Sequence, residues 1–407
     1  MSMATTRPLE GVRIADFTWV WAGPFCTLQL AHLGAEVIRI ETATRPCVTR
    51  MLPPWANGEF GINRSGYFNQ YNQGKLSLTL DLKNPRAVEV AKELVAKSDV
   101  VCENFAAGVM DRMGLGYSVL QQVKTDIIMI ALSGYGATGP ESEFVSYGPA
   151  QVPLSGMSSL TGYRDWPPMH VGISYGDPTG GLHGTVAVLA ALLYRARTGR
   201  GQFIDLSQQE TTIAVIPDGV TDYTMNGTQP PRQGNRDPHM APHGIFRCAG
   251  EQRWVAICVR DDTEWQRCAR AIGHPELAAD PQYGALAARK ANEDRLEEII
   301  TAWTRTRSPE DVTRILQAAG VPAFTAYNSK DLSEDAHLNA AGFFVNLEHP
   351  EVGTRQHVGI PWHMSGTPCA VRQPAPCLGE HTNYVLSDIL GYSGDEIERL
   401  KNEGVAN

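Results

Sequence analysis

Through the first half of the chain, short apolar runs alternate with amphipathic stretches of helix length. Val12 to Phe17 reads as a strand, Pro24 to Leu33 as a helix, and Glu36 to Glu41 (EVIRIE) as a second strand. Leu76 to Leu82 (LSLTLDL) alternates at period two, and Asn84-Pro85 then supplies a cap and a first-turn proline for a helix from Arg86 to Lys97. Asp99 to Phe105, Ile127 to Ser133 and Gln202 to Leu206 are further strand signals. Strands spaced by helices predict βαβ units and a largely parallel sheet, so the expected class is α/β.

Gly172 to Gly184 (GISYGDPTGGLHG) is dense in glycine and opens a helix expected from about Gly181 to Arg197. Arg195 and Arg197 fall in its last turn, and Thr198-Gly199 ends it. Residues 226–243, rich in Gly, Pro, Asn and Arg, predict a linker or mobile loop. Beyond it come a hairpin candidate (Gly244 to Val259), helices near 263–272, 293–304 and 309–319, and a strand near 321–327. The expected division is a large domain over 1–225, a smaller α+β domain over 226–330, and a C-terminal segment over 331–407.

Composition narrows the classes. With 407 residues, 43% hydrophobic and 19% charged, the chain reads as soluble and globular. A net charge of −9 argues against coating nucleic acid or an anionic membrane, so an anionic ligand needs a local basic pocket. The opening residues show no basic region followed by an apolar core, so no secretion signal is expected. The apolar stretch Val186 to Leu193 is far shorter than the about 20 residues that span a bilayer. Eight scattered cysteines without a C-x-x-C pair predict reduced thiols, a cytoplasmic location and no zinc site. No G-x-G-x-x-G follows the first strand, so a dinucleotide is not implied.

The opening PLEGVRIADFTWVWAGPFCTLQLAHLGAEVIRIE resembles the first βαβ unit of class III CoA-transferases, the group that includes formyl-CoA transferase and carnitine CoA-transferase. NQGKLSLTLDLKNP, DVVCENFAAGVMDRMGLGY, SGYGATGP, GDPTGGLH, TGRGQFIDLSQQE and PCLGEHT follow in the family's order. The resemblance implies a Rossmann-like large domain with an inserted smaller domain, an interlocked homodimer, and no cofactor beyond the CoA of the substrates. A related second subunit also occurs in the family.

On residue type alone, Asp177 ahead of a helix is more often a cap than a nucleophile. The resemblance places it at the family's nucleophilic aspartate, where a carboxylate takes up an acyl group and exchanges it for a CoA thioester. Gly176, Gly180 and Gly181 flank it and would let substrate approach. The 2-methylacyl-CoA racemases share most of these motifs but pair the aspartate with a histidine; Tyr147 stands at that point here, and an ordinary tyrosine is a poor base. Racemase chemistry, or an idle CoA-binding subunit, are the alternative readings.

The resemblance maps CoA binding onto Lys75, Asn104, Phe105, Arg112 and Met113, with Lys75 and Arg112 expected on phosphates. It places Trp21, Arg50 and Tyr135 at the substrate pocket. Formyl-CoA transferase has a glutamine at the Trp21 position and a four-glycine lid that has no counterpart here, which turns the expectation from oxalate towards a larger dicarboxylate, with succinyl-CoA as donor. Arg45, Arg50, His170 and the loop Arg232–Arg236 are the candidate cations for a second carboxylate. Glu380 and His381 are read as structural.

Overall fold

A computed structural model describes residues 7–406 of the protein. The chain forms two compact units: one from the residues up to Ser158, His170–Thr228 and Leu338 onward, the other from Ser159–Met169 and Gln229–His337.

The first unit runs β1 (Arg13–Asp16), α1 (Ala22–His32), β2 (Glu36–Glu41), α2 (Gly66–Tyr71), β3 (Leu76–Thr79), α3 (Pro85–Ala96), β4 (Val100–Glu103), α4 (Val109–Arg112), α5 (Tyr117–Val123) and β5 (Ile128–Ser133). It continues with α6 (Gly148–Leu154), the start of α7 (Met157–Leu160, whose last two residues belong to the other unit), α8 (Gly176–Thr198), β6 (Phe203–Ser207), α9 (Gln208–Ile213) and α10 (Pro217–Asn226). The six strands form one sheet in the order β3-β2-β1-β4-β5-β6, every neighbouring pair parallel. Ile14 stands opposite Val37 on one side and Val100 on the other.

Both faces of the sheet are buried, which is why its strands read as nearly continuous apolar runs. On one face Ala15, Ile38, Leu78 and Val101 pack with Val90 and Leu94 of α3 and with Ile397 and Leu400 near the C-terminus. On the other, Ile14, Val37, Val100 and Ile130 pack with Cys26 and Leu30 of α1 and Val188 and Ala191 of α8. Asn84 caps α3 by accepting from the Arg86 N–H, with Pro85 in its first turn.

α8 departs from the sequence expectation: it begins at Gly176, not near Gly181. Each helical glycine costs about 1 kcal/mol in propensity, but here glycine allows close packing that offsets it. A Cβ on Gly181 would lie 2.8 Å from the Ala22 carbonyl oxygen of α1. The helix ends at Gly199 in the left-handed conformation, with φ 71°.

In the second unit β7 (His243–Arg247), β8 (Trp254–Cys258) and β9 (Ala323–Thr325) form an antiparallel sheet. Trp265, Leu296, Ile300 and Leu316, from its helices, pack with Val255 and Ile257 of β8. Arg236 is not a free cation as expected: it bonds Glu297 at 2.7 Å and Asp294. Among the described residues, no helix is long and apolar enough to cross a membrane. No group of three or more His, Cys, Asp or Glu among them is placed to hold a metal ion.

Candidate active site

The loops that leave the C-terminal ends of the six strands surround a cavity of about 770 Å³ in the first unit. Trp19 follows β1, Arg45 β2, Lys83 β3, Phe105 β4, Gly134 β5 and Gln208 β6, and all six line it. The strand order reverses between β1 and β4, and such a switch point opens a crevice at the carboxyl ends of the strands.

Asp177 reaches this cavity from the first turn of α8 and is only 6% exposed. Burial pushes its carboxyl up to about 7, against the lowering effect of the Ala22 backbone N–H at the start of α1. Helix N-termini favour a carboxylate, yet here desolvation outweighs them. Gly148, the first residue of α6, touches the carboxylate directly: a Cβ there would lie 1.9 Å from Oδ2. The nucleophile candidate is therefore confined between the starts of α1 and α6.

An aromatic cluster lies within electrostatic reach of the same carboxylate. Trp21 packs against Tyr67 and Tyr71 of α2, with ring centroids 5.9 and 5.1 Å away. Both phenols are raised, first by burial and then by the charge of Asp177, so they stay protonated and act as donors. The indole Nε1 of Trp21 is buried without a hydrogen-bond partner. An unmet buried donor costs about 1–3 kcal/mol, which a ligand oxygen would relieve.

The sequence model of CoA-transferase family III matches residues 9–382. The chain belongs to CoA-transferase family III. It is 32% identical over 404 residues to a succinyl-CoA–D-citramalate CoA-transferase of Chloroflexus aurantiacus, covering 99% of each chain. It is 33% identical over 420 residues to a formyl-CoA:oxalate CoA-transferase of Rhodopseudomonas palustris, covering 98% of this chain and 97% of the other. The crystal structure of a CAIB/BAIF family protein from Brucella suis superposes with a TM-score of 0.87 at 29% identity, covering 94% of this chain and 99% of that one. The protein is thus a family III CoA-transferase, an enzyme with a mixed α/β fold.

Of the site residues expected for this family III transferase, the structure gathers Asp177, Asn104, Phe105, Arg112 and Met113 around the one cavity. Asn104 also clamps the turn after β1, accepting from the Trp19 N–H at 2.6 Å and donating to the Trp19 carbonyl at 2.8 Å. Two expectations are corrected. The Lys75 side chain is fully buried, and its ammonium bonds Asp16, Thr27, Asn72 and the Pro24 carbonyl, so it cannot hold a CoA phosphate. Arg50 is equally buried, spent on both oxygens of Glu41 at 2.9 and 2.7 Å and on Asn63, and cannot bind the acid substrate.

Gly176, Gly180 and Gly181 lie inside α8 and serve close packing: Cβ atoms there would meet Gln151, Gln208 and the Ala22 carbonyl respectively. Tyr135 packs edge-on against Phe144, a cavity residue, at 5.9 Å. Trp21 does not line the cavity; it packs on Tyr67 and Tyr71, the two phenols that feel the charge of Asp177. Glu380 bonds the Cys377 N–H, and His381 accepts from the Ser77 N–H. Gly148, Tyr67, Tyr71 and Lys83 escaped the sequence reading. Only the spacing of Tyr67 and Tyr71, four apart on one helix face, carried a signal.

A carboxylate attacks only when ionised, so kcat/KM for acyl-CoA should fall about tenfold per pH unit below roughly 7 and level off above it. Glu103, at the end of β4, is the other carboxyl that burial raises to about 7. Glu103→Gln should leave the acid limb in place. A pH-independent kcat/KM between pH 5.5 and 8.5 would contradict the assignment to Asp177.

Proposed function

We propose that the enzyme moves CoA from succinyl-CoA to a C4 or C5 dicarboxylate through a covalent aspartyl-CoA thioester on Asp177. One observation carries the reading: a desolvated carboxylate raised to about 7, within electrostatic reach of protonated phenols, faces a cavity with cations on its wall. The Asp177 carboxylate attacks the thioester carbonyl, expels CoA thiolate and forms a mixed anhydride. The thiolate then attacks the aspartyl carbonyl, releasing the donor acid and leaving aspartyl-CoA. The acceptor carboxylate attacks that thioester, gives a second anhydride and frees the thiolate, which takes the acceptor acyl group and restores Asp177. Each bond broken is replaced by one of similar energy, and the chemistry consumes neither water nor a redox partner.

Arg45, Lys83 and Arg112 line the cavity, and none of them forms an ion pair among the described residues. They are the cations for the CoA phosphates. Phe105 and Met113 supply apolar wall for the adenine or the pantetheine arm. The free acid takes the other end, with its oxygens on Trp21 Nε1 and the Tyr67 and Tyr71 hydroxyls, which also stabilise the oxyanions of the transfer steps. The relative named for D-citramalate, a C5 dicarboxylate, supports the acceptor class. A homodimer belongs to the same proposal, supported by exposed apolar Val186 and Leu193 on α8 and Val220, Tyr223 and Met225 on α10.

The test incubates the enzyme with succinyl-CoA, acetyl-CoA or formyl-CoA and a panel of free acids that includes oxalate, and scores new CoA esters by mass. Succinyl-CoA with C4 and C5 dicarboxylates should give the highest kcat/KM. Preference for formyl-CoA and oxalate would overturn the substrate proposal. Deuterium wash-in at the α-carbon without any new ester would overturn transfer itself.

A further inference from the structure

The residue that proved too buried to hold CoA sits at the base of the nucleophile's support. Asp16 ends β1 wholly buried, and its Oδ1 accepts from the Thr18 N–H at 2.9 Å and from the Thr18 hydroxyl. Its Oδ2 accepts from the Thr27 hydroxyl at 2.8 Å and from Lys75 Nζ at 3.2 Å. Lys75 Nζ also donates to Thr27 Oγ1 at 2.7 Å and to the Pro24 carbonyl at 3.0 Å. Pro24 and Thr27 belong to the first turns of α1, the helix whose Ala22 N–H acts on Asp177.

The turn between Asp16 and Ala22 does not hold itself. Val20 has φ 64°, a left-handed conformation that is a genuine outlier for a β-branched residue. Such strain persists only where the surroundings over-determine it. Asn104 grips Trp19 from both sides, the Val20 N–H bonds Cys47 Sγ at 3.3 Å, and the ion pair fixes Thr18 on one flank and α1 on the other.

We infer that Lys75 is a positioning residue for the transfer reaction: through Asp16, Thr27 and the Pro24 carbonyl, its ammonium sets the start of α1, whose Ala22 N–H faces Asp177 and whose Ala22 carbonyl packs on Gly181 of α8. Lys75 touches no substrate. A buried ion pair is weak evidence for stability, because desolvation offsets much of its attraction. Its geometry fits a register role better, because four acceptors share the three N–H groups of one ammonium and tie β1, α1 and the Asn72 side chain after α2 to one point.

The inference rests on Asp177 being the acylated group, and that premise fails on its own if Asp177→Ala stays active. The test here is steady-state kinetics on Lys75→Met, Thr27→Val and Thr27→Ser, each checked for fold by circular dichroism. Misplacing a reacting group by about 1 Å costs roughly 100-fold. Lys75→Met should therefore lose about that factor in kcat, with KM for acyl-CoA within about threefold. Thr27→Val, which keeps the shape and removes the hydroxyl, should lose about tenfold in kcat, and Thr27→Ser should restore it. A tenfold rise in acyl-CoA KM with kcat kept would make Lys75 a CoA ligand and overturn the inference. Lower melting temperatures with unchanged kcat would overturn it too, leaving only a structural pair. Should Lys75→Met fail to fold, the Thr27 pair decides by the same criteria.

Discussion

Asp177→Ala is expected to cut turnover by about 10⁴-fold or more while the protein stays folded and still binds acyl-CoA. The proposed route passes through the Asp177 carboxylate twice, as acyl acceptor and as CoA carrier, so no neighbouring group can stand in for it. The stability side follows from the sign of the pKa shift. The carboxyl rises from 3.8 to about 7 in the folded state, so the native protein holds its proton more tightly than the unfolded chain does. That contribution is present below pH 3.8 and is lost as pH rises through about 7. At pH 8 the ionised, desolvated side chain is a net cost, and the alanine variant should melt no lower than wild type. Retention of a tenth of wild-type activity would remove the covalent mechanism.

Gly148→Ala should be nearly as damaging, for a reason that is purely spatial. The position is the first helical residue of α6, where alanine is the better helix former, and Gly148 is not among the glycines with positive φ. The backbone therefore accepts the change. The added methyl would need the space that Asp177 Oδ2 now occupies, 1.9 Å from the new Cβ. The carboxylate must swing away, out of line with the thioester, and kcat should drop by about 100-fold or more. Binding of CoA itself, measured by calorimetry, should change less than about threefold, since the cations on the cavity wall are untouched. A kcat within threefold of wild type would show that the carboxylate has room the structure does not display.

The sheet was legible because both of its faces are buried: EVIRIE reads as a strand at the boundaries that β2 has, and Ile127 to Ser133 differs from β5 by one residue. The Asn84-Pro85 signal placed α3 for the same local reason. The start of α8 was missed because its glycines speak for a turn until α1 is packed against them. Asp177 was found through a motif spread along the chain, not through its surroundings. Lys75 and Arg50 were misread because charge says nothing of burial: each is made interior by a carboxylate far off in sequence or on another element, Asp16 or Glu41. Gly148 was invisible, since its meaning lies in a contact with a side chain 29 positions later.

The proposed bond between Asp177 and CoA can be read directly by chemical trapping. The enzyme is incubated with succinyl-CoA and no acceptor, quenched with hydroxylamine, digested and mapped by mass. A hydroxamate should appear on Asp177, formed only when the acyl-CoA is present and absent from every other carboxylate. An enzyme that turns over once acceptor is added while Asp177 stays unmodified in the acceptor-free sample, or that carries the hydroxamate elsewhere, would contradict it.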